Sequence, residues 1–140
     1  MRVLIAFPLL AILAACVSAP SEKPTLYTRL GGEPVVTRVV SQTMDRASTD
    51  PRTSRSFKDV KLQRVKDKIV EQICNLAGGG CAYTGDPMDK VHKGLHNTAA
   101  EMDLVVQFLR ESLDHNGVQI AEKNELLRLL APYKRDIVTQ

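Results

Sequence analysis

From Leu26 onward, the apolar residues of this chain recur every three or four positions, and nowhere do they alternate for long enough to form a strand. One such stripe covers residues 35–47, and a second covers residues 62–76. A third follows the capping-box spacing of residues 98–101, and a fourth precedes Pro132. Glycine or proline follows each stripe and is expected to end its helix. The pattern therefore predicts a single all-α domain.

The first residues are typical of an exported chain. A positively charged start, Met1-Arg2, precedes an apolar run that ends in LAAC at residues 13–16. This ending resembles a bacterial lipobox, so we expect residues 1–15 to be a cleaved signal peptide and Cys16 to carry a lipid. A plain cleaved signal or a buried apolar helix remain the alternatives.

This interpretation divides the chain into a lipidated tether, residues 16–25, and a folded domain, residues 26–140. The tether contains two prolines and small polar residues, which do not build a core. We expect the protein to lie on the periplasmic side of the cell envelope, anchored to a membrane. Ser18 favours the outer membrane. An exported chain of this kind folds in an oxidising compartment.

Charge and composition exclude some partners and leave others open. The chain has 19 basic and 16 acidic residues, a net charge of +3, and no basic cluster with interleaved aromatics. We therefore expect no nucleic-acid partner. We also expect a monomer. Only 4% of the residues are aromatic, so the inward faces must be aliphatic. Such faces pack against one another or around a flat cofactor equally well.

Two cysteines flank a glycine run. Cys74 ends the second helical stripe, and Cys81 follows Gly78-Gly79-Gly80. In an oxidising compartment, a turn this flexible favours a disulfide between them. Two free thiols, or a zinc site shared with histidines, are the alternatives, although the tight spacing of a zinc knuckle is absent.

Two of the three histidines, His92 and His96, lie four positions apart. On a helix this spacing would place both imidazoles on one face, where they could hold a metal between them. Gly94 weakens such a helix, and no accompanying carboxylate motif is present. The third histidine, His115, is predicted at a helix C-terminus, where a surface cation complements the helix dipole.

Several ordered segments together carry a family resemblance. They are LYTRLGGE (26–33), LAGGGCAYTGDPM (76–88), VHKGL (91–95) and LLAPYKRDIV (129–138). In this order and spacing the chain resembles the truncated, two-over-two haemoglobins of group I. The cysteine-containing segment is similar to a subset found on exported chains. The resemblance implies the two-over-two helical globin fold, haem b as cofactor, and binding of the diatomic gases O2, NO or CO.

By position, the resemblance implies that His92 is the proximal iron ligand. Phe57 would pack on the haem face, and Tyr83 with Thr84 would lie beside the propionates. Lys68 would pair with a propionate, with iron ligation as the alternative. Arg64 and Lys90 are further candidates for propionate pairing. The expected apolar haem contacts are Val65, Ile69, Ile73, Met88, Val91, Leu95 and Met102.

The distal side departs from the family pattern. Members usually carry a tyrosine and a glutamine that donate hydrogen bonds to oxygen, but the matching positions here are Met44, Val65 and Ile69. None of these side chains donates a hydrogen bond. We therefore expect weak oxygen binding and a role in gas sensing or redox chemistry, with an unidentified electron donor. A haem enzyme, either an NO dioxygenase or a peroxidase, and a non-haem histidine-pair metal module are the alternatives.

Overall fold

The computed structural model describes residues 23–140, and over that range it contains helices and loops but no strand. The predictions for residues 1–15, for Cys16 and for most of the tether lie outside the described residues. Within residues 23–140, no helix combines the length and apolar character needed to cross a membrane. The helices are α1 (Leu26–Arg29), α2 (Gly32–Thr49), α3 (Leu62–Leu76), α4 (Met88–Val91), α5 (Ala99–His115), α6 (Ile120–Leu130) and α7 (Lys134–Ile137), with 3-10 turns at Ser54–Phe57 and Ala131–Tyr133.

The core lies where α2 packs against both α3 and α5, while α1 packs against α2 and α6. Every helix that builds it buries one stripe of its surface, as the helical period predicts. The apolar side chains that form this cluster are Leu26, Leu30, Val36, Val39, Val40, Met44, Ile73, Ala77, Leu113, Val118 and Leu126. The predicted all-α domain is confirmed.

The ends of the long helices agree with the local signals. Asp50, directly before Pro51, is the C-cap of α2. Thr98 caps α5: its hydroxyl accepts from the Glu101 amide, while the Glu101 carboxylate accepts from the Thr98 amide. This capping box was predicted from its spacing alone.

Two expectations about helices are wrong. The element predicted over residues 88–95 is helical only over Met88–Val91 and then turns. On α5, the stripe expected to face inward omitted Phe108, which is the largest fully buried side chain. Of that expected stripe, only Leu113 is buried; its remaining members, Met102, Val105, Val106 and Leu109, are half-buried.

The turn after α3 brings the cysteines together. The Cα atoms of Cys74 and Cys81 lie 5.6 Å apart, within the range that a disulfide spans. Gly79 makes this close packing sterically feasible, because a Cβ there would lie 2.6 Å from both the Cys74 sulfur and the Tyr27 ring. The loop that leads to α4 therefore starts from a crowded, well-defined turn.

Candidate functional site

His92 occupies the C-cap of α4 and has the arrangement of a metal ligand. Its Nδ1 lies 2.8 Å from the carbonyl oxygen of Met88, one helical turn earlier. Because a carbonyl only accepts, Nδ1 is the donor in this contact, and in the neutral ring Nε2 then carries the lone pair. Histidine ligands of metals commonly donate a hydrogen bond from one ring nitrogen, and this bond orients the other ring nitrogen toward the metal.

His96 does not share a helical face with His92. The helix ends at Val91, and His96 is exposed with a left-handed φ of 52°. Across residues 23–140, no three His, Cys, Asp or Glu side chains gather into a metal-binding group. The geometry expected for a metal held by a histidine pair on one helix is therefore wrong.

An incompletely covered apolar surface lies along α3. Leu62, Val65 and Ile69 belong to the inward stripe of this helix but are only half-buried. The same is true of Phe57 in the 3-10 turn and of the α5 residues Met102, Val105 and Leu109. These inward-facing apolar side chains remain accessible to solvent, so a bound apolar group could cover them.

A cavity of about 240 Å³ separates α3 from the loop and helix that carry His92. Gln72 lines it and is only 9% exposed, a buried polar residue that the sequence analysis missed. Its position, three residues after Ile69 on the inward stripe, was the available signal. The other lining residues are Asn75, Leu76, Tyr83, Gly85, Pro87, Met88 and Tyr133.

Comparison with known proteins identifies the fold family. The family model of the bacterial-like globins matches residues 25–139. The group 1 truncated hemoglobin GlbN of Mycolicibacterium paratuberculosis is 33% identical over 119 residues, which is 85% of this chain and 88% of that protein. The chain belongs to the group 1 truncated haemoglobins. Another group 1 truncated hemoglobin GlbN, from Nostoc, is 27% identical over 83% of this globin and 98% of its own length.

The structure agrees with solved members of the group. The truncated hemoglobin of Tetrahymena pyriformis in its Fe(III) form superimposes with a TM-score of 0.78 at 25% identity, covering 84% of this globin and all of that chain. This confirms the predicted two-over-two fold. Haem b is the cofactor of globins and of this chain, and binding of a diatomic gas is the general activity that it shares with the family.

The residues present fit this cofactor. A haem needs one neutral nitrogen ligand and an apolar slot, and the free Nε2 of His92 and the half-buried stripe on α3 are suited to supply both. Of the predicted haem contacts, Tyr83 and Met88 line the cavity between α3 and α4, whereas His92, Val65 and Ile69 do not. Among the predicted contacts, Met88, Leu95 and Tyr83 are half-buried here.

Three predicted pocket residues lie in contrasting surroundings. Ile73 is 1% exposed and Met44 6%, so both belong to the core of the globin. Val91, in contrast, is 45% exposed on α4. Whether each of them touches the cofactor stays a prediction from the family pattern.

Lys68 is held by groups at the predicted propionate edge. Its Nζ donates to Glu71 Oε1 at 2.7 Å and to Thr84 Oγ1 at 2.6 Å. The backbone amide of Thr84 also donates to Glu71, and the hydrogen bond from Lys68 is the largest cause of the lowered pKa of Glu71. Lys90 similarly pairs with Asp86 at 2.7 Å. Both cations therefore lie beside the segment that was predicted to line the propionates.

Arg55 connects the loop after His92 to the start of α5. Its guanidinium forms a fork with the Glu101 carboxylate, with two hydrogen bonds of 2.5 Å. This contact, the largest of several causes, lowers the pKa of Glu101 to about 2 from its usual 4.5. The sequence offered no signal for Arg55, because its partners lie about 40 residues further along the chain.

The Arg55–Glu101 pair predicts an acid-sensitive stability. A carboxylate whose pKa is lowered by folding stabilises the fold above its unfolded pKa and loses that contribution as the pH falls through its folded pKa. We expect the free energy of unfolding to fall between about pH 5 and pH 2, with Asp50 beside Arg52, also at a pKa of about 2, contributing in the same direction. Urea titrations should show a shallower pH dependence in Glu101→Gln. An identical slope in both proteins would contradict the assignment.

Proposed function

We propose that this globin binds haem b through His92 and receives CO or NO in an apolar distal pocket, as a gas-sensing or redox protein rather than an oxygen store. The observation that carries the proposal is the hydrogen bond from His92 Nδ1 to the Met88 carbonyl, which leaves Nε2 available as a ligand. When bound, haem supplies an iron whose sixth position accepts a diatomic gas.

The half-buried apolar residues would hold the macrocycle. Val65 and Ile69 on α3 would cover one face, while Met88 and Leu95, which flank His92 in sequence, would cover the other. Phe57 would pack on the haem face, and Met102 would add a further apolar contact. At the edge, Lys68 and Lys90 carry the positive charge that two propionates need, and each already lies beside an acidic partner with which a propionate would compete.

The distal residues supply shape but no hydrogen bonds. Met44, Val65 and Ile69 have no donor, so a polar ligand such as oxygen would lose stabilisation of about 1–3 kcal/mol relative to a pocket that has donors. CO and NO depend less on such donors. The apolar pocket therefore favours these gases and shortens the lifetime of the ferrous state in air.

Gas titration of haem-reconstituted protein tests this proposal. We expect the ferrous protein to bind CO and NO tightly, to bind O2 weakly, and to oxidise to the ferric state within a short exposure to air. Absorption spectroscopy measures all three. A stable oxygenated spectrum that persists for hours would overturn the proposed preference.

We also propose that the domain works in an oxidising compartment, with Cys74 and Cys81 joined in a disulfide. The support is their 5.6 Å Cα separation. Closing so short a loop stabilises a fold by about 2–2.5 kcal/mol on the chain-entropy estimate, so Cys81→Ser should lower the free energy of unfolding by that amount. Urea denaturation with and without dithiothreitol measures it, and the reductant should not affect the variant. Two titratable thiols in the unreduced native protein would contradict the bond.

A further inference from the structure

The segment that follows His92 has a conformation that needs outside support. We call residues 93–97 the proximal loop. Gly94 has a φ of 80°, and His96 has a φ of 52°, a left-handed conformation that residues with a side chain rarely adopt. Such a backbone persists where surrounding contacts over-determine it. The contacts that hold the proximal loop therefore also fix the path of the backbone directly after His92.

Arg55 provides the most direct of these contacts. Its Nη1 donates to the Leu95 carbonyl at 3.0 Å, and its Nη2 donates to the His96 carbonyl at 2.7 Å. Its Nε and Nη2 also donate to the Glu101 carboxylate. All three guanidinium nitrogens are therefore hydrogen-bonded, and the bonds to Glu101 fix the plane of the group. The Leu95 amide in turn donates to the His92 carbonyl at 3.1 Å.

We propose that Arg55 is a positioning residue for His92, acting through the proximal loop to set the height and tilt of the imidazole relative to the haem iron. The inference rests on the proposed role of His92 as the iron ligand. Arg55 also lies two residues before Phe57, so one 3-10 turn carries both a predicted haem contact and the support of the proximal side. A lysine cannot replace it, because one ammonium lacks the planar fork that reaches two carbonyls and a carboxylate.

Loss of Arg55 should leave the fold intact. Ser56 donates to the Asn97 side chain at 2.8 Å, and the Thr139 amide donates to the Asn97 carbonyl at 3.0 Å. These bonds keep Asn97, at the end of the proximal loop, attached to the 3-10 turn and to the C-terminal segment. Arg55→Gln therefore tests positioning, and circular dichroism of the haem-free protein checks that the helices are retained.

The proximal iron–histidine bond gives the decisive readout. In the ferrous reconstituted protein, Arg55→Gln should shift or broaden the iron–histidine stretching band in resonance Raman spectra. It should also speed haem transfer to apomyoglobin by up to about tenfold, the lower end of the 10- to 100-fold cost of losing a partner bonded directly to a metal ligand, because Arg55 acts on His92 through the loop. The matched control is Arg52→Gln, which removes a neighbouring arginine bound to Asp50 in the same forked way but without a bond to the proximal loop. An unchanged band and transfer rate in Arg55→Gln would overturn the inference.

A detached ligand separates this inference from the proposed function. In His92→Gly supplied with imidazole, the iron ligand no longer belongs to the chain, so adding Arg55→Gln should leave the iron–imidazole band unchanged. An equal shift in that background would show that Arg55 acts through the pocket in general and would overturn the positioning role. If the wild-type iron–histidine band survives in His92→Gly without imidazole, the proposed ligand itself is wrong.

Discussion

Replacing His92 by alanine is expected to abolish stable haem binding. The His92 side chain is half-buried and its Nδ1 is hydrogen-bonded to the Met88 carbonyl, which leaves Nε2 available as a ligand, whereas His96 is exposed. Loss of an outer partner of a metal ligand typically costs 10- to 100-fold in affinity, so loss of the ligand itself should cost more than about 100-fold. Haemin titration followed at the Soret band measures the change.

The matched control for this experiment is His96→Ala. It removes an imidazole from the same short segment, but its side chain is exposed and its backbone already turns away from α4. We expect the Soret band and the haem affinity of His96→Ala to equal those of the wild type. Normal haem binding by His92→Ala, or loss of binding in His96→Ala alone, would show that the proximal ligand is misassigned.

Restoring hydrogen-bond donors on the distal side is expected to raise oxygen affinity by about 5- to 150-fold, which corresponds to the 1–3 kcal/mol attributed to such bonds. The double substitution Met44→Tyr with Ile69→Gln places a hydroxyl and an amide at two of the positions that lack them. CO affinity should change little, because CO accepts such bonds weakly. Flash photolysis gives both affinities, and the rate of oxidation in air should fall in parallel.

Changes in side-chain volume need their own control at these positions. Met44 is 6% exposed within the core, so a larger ring there carries a packing cost. Met44→Phe with Ile69→Leu has nearly the same shape as the donor variant but adds no polar atom. If this apolar pair raises oxygen affinity as much as Tyr with Gln does, hydrogen bonding is not the cause.

The helices themselves were largely predictable from local pattern. The bounds of α2 and α3 and the capping box of α5 follow from apolar period, from proline and glycine at the ends, and from the Thr98–Glu101 spacing. These signals act over one or two turns of chain, so a single sequence contains them. The same reasoning misjudged which side of α5 faces inward. Several apolar stripes are possible on this helix, and only its packing against α2 determines that Phe108 is buried.

The candidate site was predictable in part. The position of His92 and its apolar neighbours followed from the family resemblance, and the bond to the Met88 carbonyl supports that assignment. The four-residue spacing of the two histidines, in contrast, was misleading as evidence for a shared helical face. A helix four residues long ends before His92, and the left-handed backbone at His96 then separates the two rings.

By itself, the sequence determined which segments are helical and where they end, because these depend on neighbours within a few residues. The match of His92 to the family's iron ligand came from the resemblance of ordered segments along the domain. Only the tertiary structure decided which apolar side chains stay uncovered beside α3 and how the ring of His92 is oriented. It alone joined Arg55 to Leu95 and His96, across about 40 residues of chain. Such contacts exist only after the helices have packed, since nothing in the intervening sequence brings these groups together.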